Sequence, residues 1–193
     1  MIIGITGGTG CGKTTLLNLI RQQGGTVMDC DAIYHELLQT DTDMLSAIDA
    51  RFPGTVENGA LNRKKLGAIV FSDEQALLDL NRITHSAVKK EVLRRLEGKP
   101  ALAAIDAIGL FEGGLAQLCQ VTVAVTAPVE LRVKRLMARD GISEEYARKR
   151  IAAQHSEEWF REQCDHILEN DSTFDAFRAK CVAFLESLGI MKP

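Results

Sequence analysis

Hydrophobic positions along the chain switch between the two-residue period of strands and the 3.6-residue period of helices. Met1-Ile2-Ile3-Gly4-Ile5-Thr6 is a short β-branched run suited to a buried strand, and Thr14 to Ile20 carries apolar residues at helical spacing. Gly24-Gly25 closes that helix, Thr26-Val27-Met28 reads as a second strand, and Ala32 to Leu38 as a second helix. Residues 41–73 are mixed. Met44 to Phe52 is helical in pattern, Pro53-Gly54 and Glu57-Asn58-Gly59 are turns, and Asn62-Arg63-Lys64-Lys65-Leu66 begins a further helix. The longest helix is expected over 74–96, with Leu77, Leu80, Ile83, Ala87, Val92 and Leu96 as its apolar stripe.

Gly98-Lys99-Pro100 breaks that helix. Ala101 to Asp106 reads as a buried strand ending in an acid, and Val121 to Thr126 as a strand stopped by Ala127-Pro128. Helices follow from Glu130 to Arg139 and from Ser143-Glu144-Glu145 onward, joined by an Asp140-Gly141 turn. His166 to Asn170 is the last strand, with Asn170-Asp171-Ser172 as its exit turn, and Phe174 to Leu188 is an amphipathic helix covering the sheet. Single strands alternating with helices predict an α/β fold around a parallel sheet of about five strands. Roughly 70 mostly helical residues separate the second and third strands, far more than a crossover needs, so an inserted helical subdomain is expected.

Composition narrows this little. The 193 residues are 46% hydrophobic and 25% charged, which fits one soluble domain with a substantial core. A net charge of −3 argues against a general nucleic-acid binder, and no apolar run reaches membrane length, so neither partner is expected. The five cysteines form no C-x-x-C pair, so no zinc site or disulfide framework is suggested, and a reducing cytoplasm is the expected compartment. The first apolar run enters a glycine-rich loop rather than a cleavage site, and reads as a core strand.

That loop carries the chemistry. Gly7-Gly8-Thr9-Gly10-Cys11-Gly12-Lys13-Thr14 matches G-x-x-x-x-G-K-[ST] at every specified position, between a strand and a helix as the motif requires. Its backbone N–H groups would cradle phosphates at a helix N-terminus, with Lys13 reaching the β- and γ-phosphates and the Thr14 hydroxyl ligating Mg²⁺. Asp29-Cys30-Asp31 ends the second strand, where α/β folds place ligands. Asp31 could take a proton from an acceptor hydroxyl or cap the following helix, and position alone does not separate the two. Asp106 could help position magnesium or bond nearby backbone, and His85 sits alone on a helix. Between residues 132 and 150 lie seven cations: Arg132, Lys134, Arg135, Arg139, Arg148, Lys149 and Arg150. Some would be solvated partners of Glu130, Glu144 and Glu145, and others would close over a transferring phosphoryl group. Arg135 and Arg139, four apart, share one helix face and are the favoured pair.

Several segments together resemble the dephospho-coenzyme A kinase family over nearly the whole chain. Asp29-Cys30-Asp31 with Ile33 and His35 looks like the family's D-A-D-x-[IV]-x-[RH] segment. Val70-Phe71-Ser72-Asp73 and Leu80-Asn81-Arg82-Ile83-Thr84-His85 look like V-F-x-[DN] and L-N-x-[IL]-x-H-P. Asp106-Ala107-Ile108-Gly109-Leu110-Phe111-Glu112 looks like D-[VI]-P-L-L-[FY]-E. Arg135 to Asp140, Arg150, Gln154, and Asp165 with Asn170 look like the lid and final-strand pattern. Ser86, Gly109 and Phe160 depart from it, standing where the family usually has Pro, Pro and Lys.

The resemblance implies a three-layer P-loop NTPase of the nucleotide-kinase kind, transferring phosphate from ATP with Mg²⁺ to the 3′-hydroxyl of dephospho-CoA. It implies a core (about 1–31, 100–130 and 160–193), a helical acceptor-binding insertion (about 32–99) and a helical lid (about 131–159). Donor contacts would come from Gly8, Thr9, Gly10, Cys11, Gly12, Lys13, Thr14, Thr15, Arg135 and Asn170. Acceptor contacts would come from Asp31, His35, His85, Asp106, Leu110 and Glu112. Lys13, Asp31 and Arg139 would carry the catalysis. A monomer or weak homo-oligomer is expected. The competing readings are a P-loop kinase with another small-molecule acceptor and a non-catalytic nucleotide-binding module. Against the second stand the lid-like basic hairpin and the lack of a guanine-specifying N-K-x-D segment.

Overall fold

The computed structural model describes residues 1–191. In chain order the elements are β1 (Ile2–Thr6), α1 (Thr14–Gln22), β2 (Thr26–Asp29), α2 (Cys30–Thr40), α3 (Thr42–Arg51), β3 (Val56–Glu57), β4 (Ala60–Leu61), α4 (Arg63–Val70) and α5 (Glu74–Leu96). There follow β5 (Ala103–Asp106), β6 (Val121–Thr126), α6 (Val129–Asp140), α7 (Glu144–Ala152), α8 (Glu157–Gln163), β7 (His166–Glu169) and α9 (Phe174–Ser187). Two compact units divide the chain. One comprises Met1–Val27, Pro100–Leu110 and the residues from Ala116 onward, and the other Met28–Lys99 with Phe111–Leu115.

The main sheet has five strands in the order β2-β5-β1-β6-β7. β1 pairs in parallel with β5 and with β6, and β6 in parallel with β7. This is the expected α/β class. In β1 the alternation is strict. Ile3 and Ile5 enter a core completed by Leu16 and Ile20 of α1, Val123 and Val125 of β6, and Phe177 and Phe184 of α9. Gly4 points the other way, where an added Cβ would meet Cys119 Sγ at 2.8 Å and Leu110 Cδ2 at 2.9 Å. Register sets Ile5 opposite Asp106 and Thr6 opposite Ala124, so three strand ends come level where the chain leaves β1. In open α/β sheets, ligands bind outside these carboxyl ends. α6 and α7 form a separate hairpin, packed through Val133, Leu136, Ala147 and Ile151.

The second unit is helical, with α5 packed against α2, α3 and α4 in turn. α5 spans the expected residues, but its buried positions are Ala76, Thr84, Val88 and Val92. Of the predicted stripe only Val92 is fully buried, and the rest are half-buried. A helix that meets three partners along 23 residues changes its buried face as it goes. The Glu57-Asn58-Gly59 turn proves to be the tip of a two-stranded hairpin, β3–β4. Asn58 (φ 53°) and Gly59 (φ 77°) supply the left-handed pair that a tight hairpin requires.

Candidate functional site

The phosphate loop spans β1 and α1. Gly12 adopts φ +95°, and a Cβ there would fall 2.4 Å from Asn170 Nδ2, so only glycine fits. Lys13 holds the N-cap position of α1 in helical conformation, and no side chain caps this end. Among the described helices α6, which opens after Pro128, shares this lack, while α2, α3, α4, α5, α7, α8 and α9 all have side-chain caps. The first N–H groups of α1 are thus left to an anion, which the helix dipole also favours. The Lys13 side chain folds back over the loop, donating from Nζ to Gly7 O at 2.9 Å and standing 3.9 Å from Asp106 Oδ1. Both side chains are about 15% exposed, partly shielded from water yet open to a ligand. Thr14 is exposed at the start of α1, and Thr15 is half-buried, its N–H bonded to Gly12 O at 3.2 Å.

Two arginines of α6 reach the loop. Arg135 donates to Gly10 O (3.2 Å), Cys11 O (3.3 Å) and Asn170 Oδ1 (3.1 Å), while Asn170 Nδ2 donates to Cys11 O at 2.8 Å. Asn170 follows β7, is 4% exposed, and is fixed by its own N–H bond to Thr126 O. Arg132 is buried, with Nε on Thr9 O at 2.9 Å and Nη2 on Gln154 Oε1 at 2.8 Å. Burial pushes the Cys11 thiol up, against the pull of Arg132 and Lys13.

Arg139 stands elsewhere, exposed in the last turn of α6 and forked onto both oxygens of Asp140, which also accepts from Arg150. Arg139 first and Arg150 second hold the Asp140 carboxyl down at about 2. Arg148 pairs with Glu130 and Glu144, and Lys149 with Glu145, as solvated cations do. Of the seven, Arg132 and Arg135 therefore touch the loop. Sequence spacing singled out Arg139 and passed over Arg132, because residues three and four apart share a face equally well.

In the second unit, Asp29 caps α2 by accepting from Ala32 N at 3.0 Å. This removes the capping alternative for Asp31, which lies exposed in the first turn. His35, one turn on, shares that face, and its Nδ1 lies 3.3 Å from Arg63 Nη2 of α4. Arg63, flagged in the sequence only as part of a basic first turn, is a neighbour that no local spacing could assign to His35. His85 is half-buried within α5, and Glu112 is exposed. Leu110, in the first unit, is wholly buried.

Comparison with known proteins agrees with this arrangement. A family model described as dephospho-CoA kinase matches residues 1–176. A dephospho-CoA kinase of Syntrophotalea carbinolica is 34% identical, covering 97% of this chain and 92% of that protein. One from Symbiobacterium thermophilum is 38% identical, covering 94% and 79%. Among solved structures, a Thermus thermophilus protein superposes with a TM-score of 0.82 at 33% identity, covering 100% and 98% of the two chains. The dephospho-CoA kinase of Campylobacter jejuni gives 0.68 at 26%, covering 98% of each. A shikimate kinase of Bacteroides thetaiotaomicron, 16% identical with a TM-score of 0.58, shares the fold. With a phosphate loop at the head of a parallel sheet and a family match running over most of its length, the chain belongs to the dephospho-CoA kinase family.

Proposed function

We propose that this chain transfers the γ-phosphoryl group of ATP to the 3′-hydroxyl of dephospho-CoA, giving coenzyme A and ADP as the last step of coenzyme A synthesis. The observation that carries the reading is Lys13, held across an uncapped loop-and-helix anion site in a member of this family. Lys13 and the loop N–H groups bind the donor phosphates, and Arg139 exchanges Asp140 for phosphate oxygens as the 131–159 segment closes as a lid. Thr14, exposed at the start of α1, and Asp106 beside Lys13 fit a Mg²⁺ held by few protein ligands, by water and by substrate phosphates. When bound, the ion supplies charge neutralisation on the β- and γ-phosphates.

The helical insertion (about 32–99) takes the acceptor, with Asp31, His35, His85 and Glu112 contributing contacts, while Leu110, expected among them, is wholly buried and offers the acceptor no surface. The acceptor oxygen forms a bond to the γ-phosphorus, the bond from phosphorus to the β,γ-bridging oxygen breaks, and the hydroxyl proton passes to the Asp31 carboxylate. That carboxylate is available because Asp29 does the capping. A loose transition state needs positioning and charge more than a strong base. Among the described residues no helix is long and apolar enough to cross a membrane, and we assign the chain to the cytoplasm, as a monomer or weak homo-oligomer. The test is purified protein with ATP, Mg²⁺ and dephospho-CoA, reading coenzyme A formation. Its absence, with ATP still bound, would remove the acceptor assignment.

A further inference from the structure

Arg132 is a buried cation with unusual company. It is 9% exposed, and none of the ion pairs among the described residues includes it. Its hydrogen bonds instead close a ring around one residue of the phosphate loop. Arg132 Nε donates to Thr9 O at 2.9 Å, Arg132 Nη2 donates to Gln154 Oε1 at 2.8 Å, and Thr9 N donates to that same oxygen at 2.9 Å. Both backbone polar groups of residue 9 are therefore held, by two side chains that hold each other. The two donors converging on it fix which end of the Gln154 amide is oxygen.

The packing matches the hydrogen bonds. A Cβ on Gly8 would lie 2.2 Å from Arg132 Nη2, so the guanidinium fills the space a side chain at residue 8 would need. A Cβ on Gly10 would lie 3.1 Å from Arg132 O, so the α6 backbone abuts the next turn of the loop. Arg132 belongs to α6, and Gln154 lies two residues past the end of α7. The α6–α7 hairpin thus grips the loop from α6 and from the segment that leaves α7. A buried cation without a carboxylate partner carries a desolvation penalty, and an apolar side chain of similar volume is often no worse for stability. Its charge next to the loop has a clear use, since the donor phosphates bring the counter-charge.

We propose that Arg132 and Gln154 are positioning residues that lock the backbone of Thr9 in the phosphate loop, and that Arg132 also supplies uncompensated positive charge for the triphosphate. Neither is assigned to touch a reacting atom. Gln154 orients Arg132 and the loop together, and the glycines at 8 and 10 let the arginine in. This rests on the reading of the chain as an ATP-dependent kinase but not on the identity of the acceptor.

The test uses the full chain and two readouts: ATP·Mg²⁺ binding by calorimetry without acceptor, and kcat with dephospho-CoA. Arg132→Lys and Gln154→Ala each open the ring, and each should both weaken ATP binding and lower kcat about tenfold, as loss of a charge-assisted hydrogen bond that positions the loop does. Because both break one unit, the double variant should also stand about tenfold from the parent, not about a hundredfold. Gln154→Glu keeps an oxygen where both donors need it but neutralises the arginine. It should keep kcat within about twofold while weakening ATP binding about tenfold. Losses that multiply in the double variant, single variants with parental affinity, or a Gln154→Glu that loses kcat as Gln154→Ala does, would each overturn the proposal. If Arg132→Lys does not fold, the contrast between Gln154→Ala and Gln154→Glu decides alone. A parent that binds ATP but does not turn over dephospho-CoA refutes the acceptor reading, and the binding comparisons still decide this one.

Discussion

At the scale of single residues, the loop is built so that its neighbours leave no slack. Gly12→Ala would force a methyl to 2.4 Å from Asn170 Nδ2 at a φ that L-residues resist. The expected result is loss of ATP binding by about a hundredfold or more in a calorimetric titration, with the sheet intact by circular dichroism. Asp31→Asn separates a proton acceptor from a binding group. We expect kcat to fall about a hundredfold with the KM for ATP within about threefold, as removal of a general base does. An unchanged kcat would remove Asp31 from the mechanism. The sequence showed the loop in full, since its glycine spacing is a local property. It could not show that Arg132 rather than Arg139 turns inward, because that depends on the roll of α6 against a loop over 120 residues earlier. Nor could it decide the capping of α2, where Asp29 and Asp31 both precede or open the helix and only geometry separates them.

Elements were legible where one period ran unbroken. β6 and α5 occupy the residues that their patterns predict, and β5 begins two residues later than its apolar run, at Ala103. α8, seven residues with Trp159 and Phe160 between acids, is too short to show a period and went unread. The hairpin β3–β4 has strands of two residues, which carry no alternation at all. α5 also shows how one element is tied to another. Glu91 accepts from Arg94 and Arg95 at 2.7 Å, and Arg95 reaches Glu36 of α2. Arg94 first, then Arg95, hold the Glu91 carboxyl at about 2, against 4.5 for a free one. A depressed carboxyl stabilises the fold above its unfolded pKa, and that contribution is lost as pH falls through the folded value. Glu91→Gln should therefore lower Tm by about 2–4 °C at pH 7, a modest figure because solvent screens the arginines. The deficit should shrink between pH 4.5 and about 2, and a deficit constant across that window would refute the linkage.

For the molecule as a whole, the fold class followed from the alternation of strands and helices, and the long helical stretch between the second and third strands pointed to a separate unit, but one piece of that unit was not legible. Phe111–Leu115 joins the helical unit although its flanking residues belong to the other, and no composition shift marks that five-residue exchange. The five cysteines, all among the described residues, form no disulfide. Burial pushes Cys119 and Cys181 up to about 12 and Cys164 to about 11, and raises Cys11 as well. At pH 8 these four thiols are protonated, with Cys11 and Cys181 buried and Cys119 and Cys164 half-buried, so the native chain should react more slowly with a disulfide reagent than the denatured chain, in which five equivalents should react at once. Rapid modification of the native protein would contradict this.

The central strand has one more consequence, for how the chain is made. β1 leaves the ribosome before either strand that flanks it, since both lie about a hundred residues downstream. At ~5–20 residues per second, the loop's framework waits several seconds for its neighbours to be synthesised. Ribosome-bound chains arrested before β6 emerges should not retain ATP, and those released after α9 should. The phosphate loop is synthesised ahead of its flanking strands, but it becomes a nucleotide site only once they have arrived.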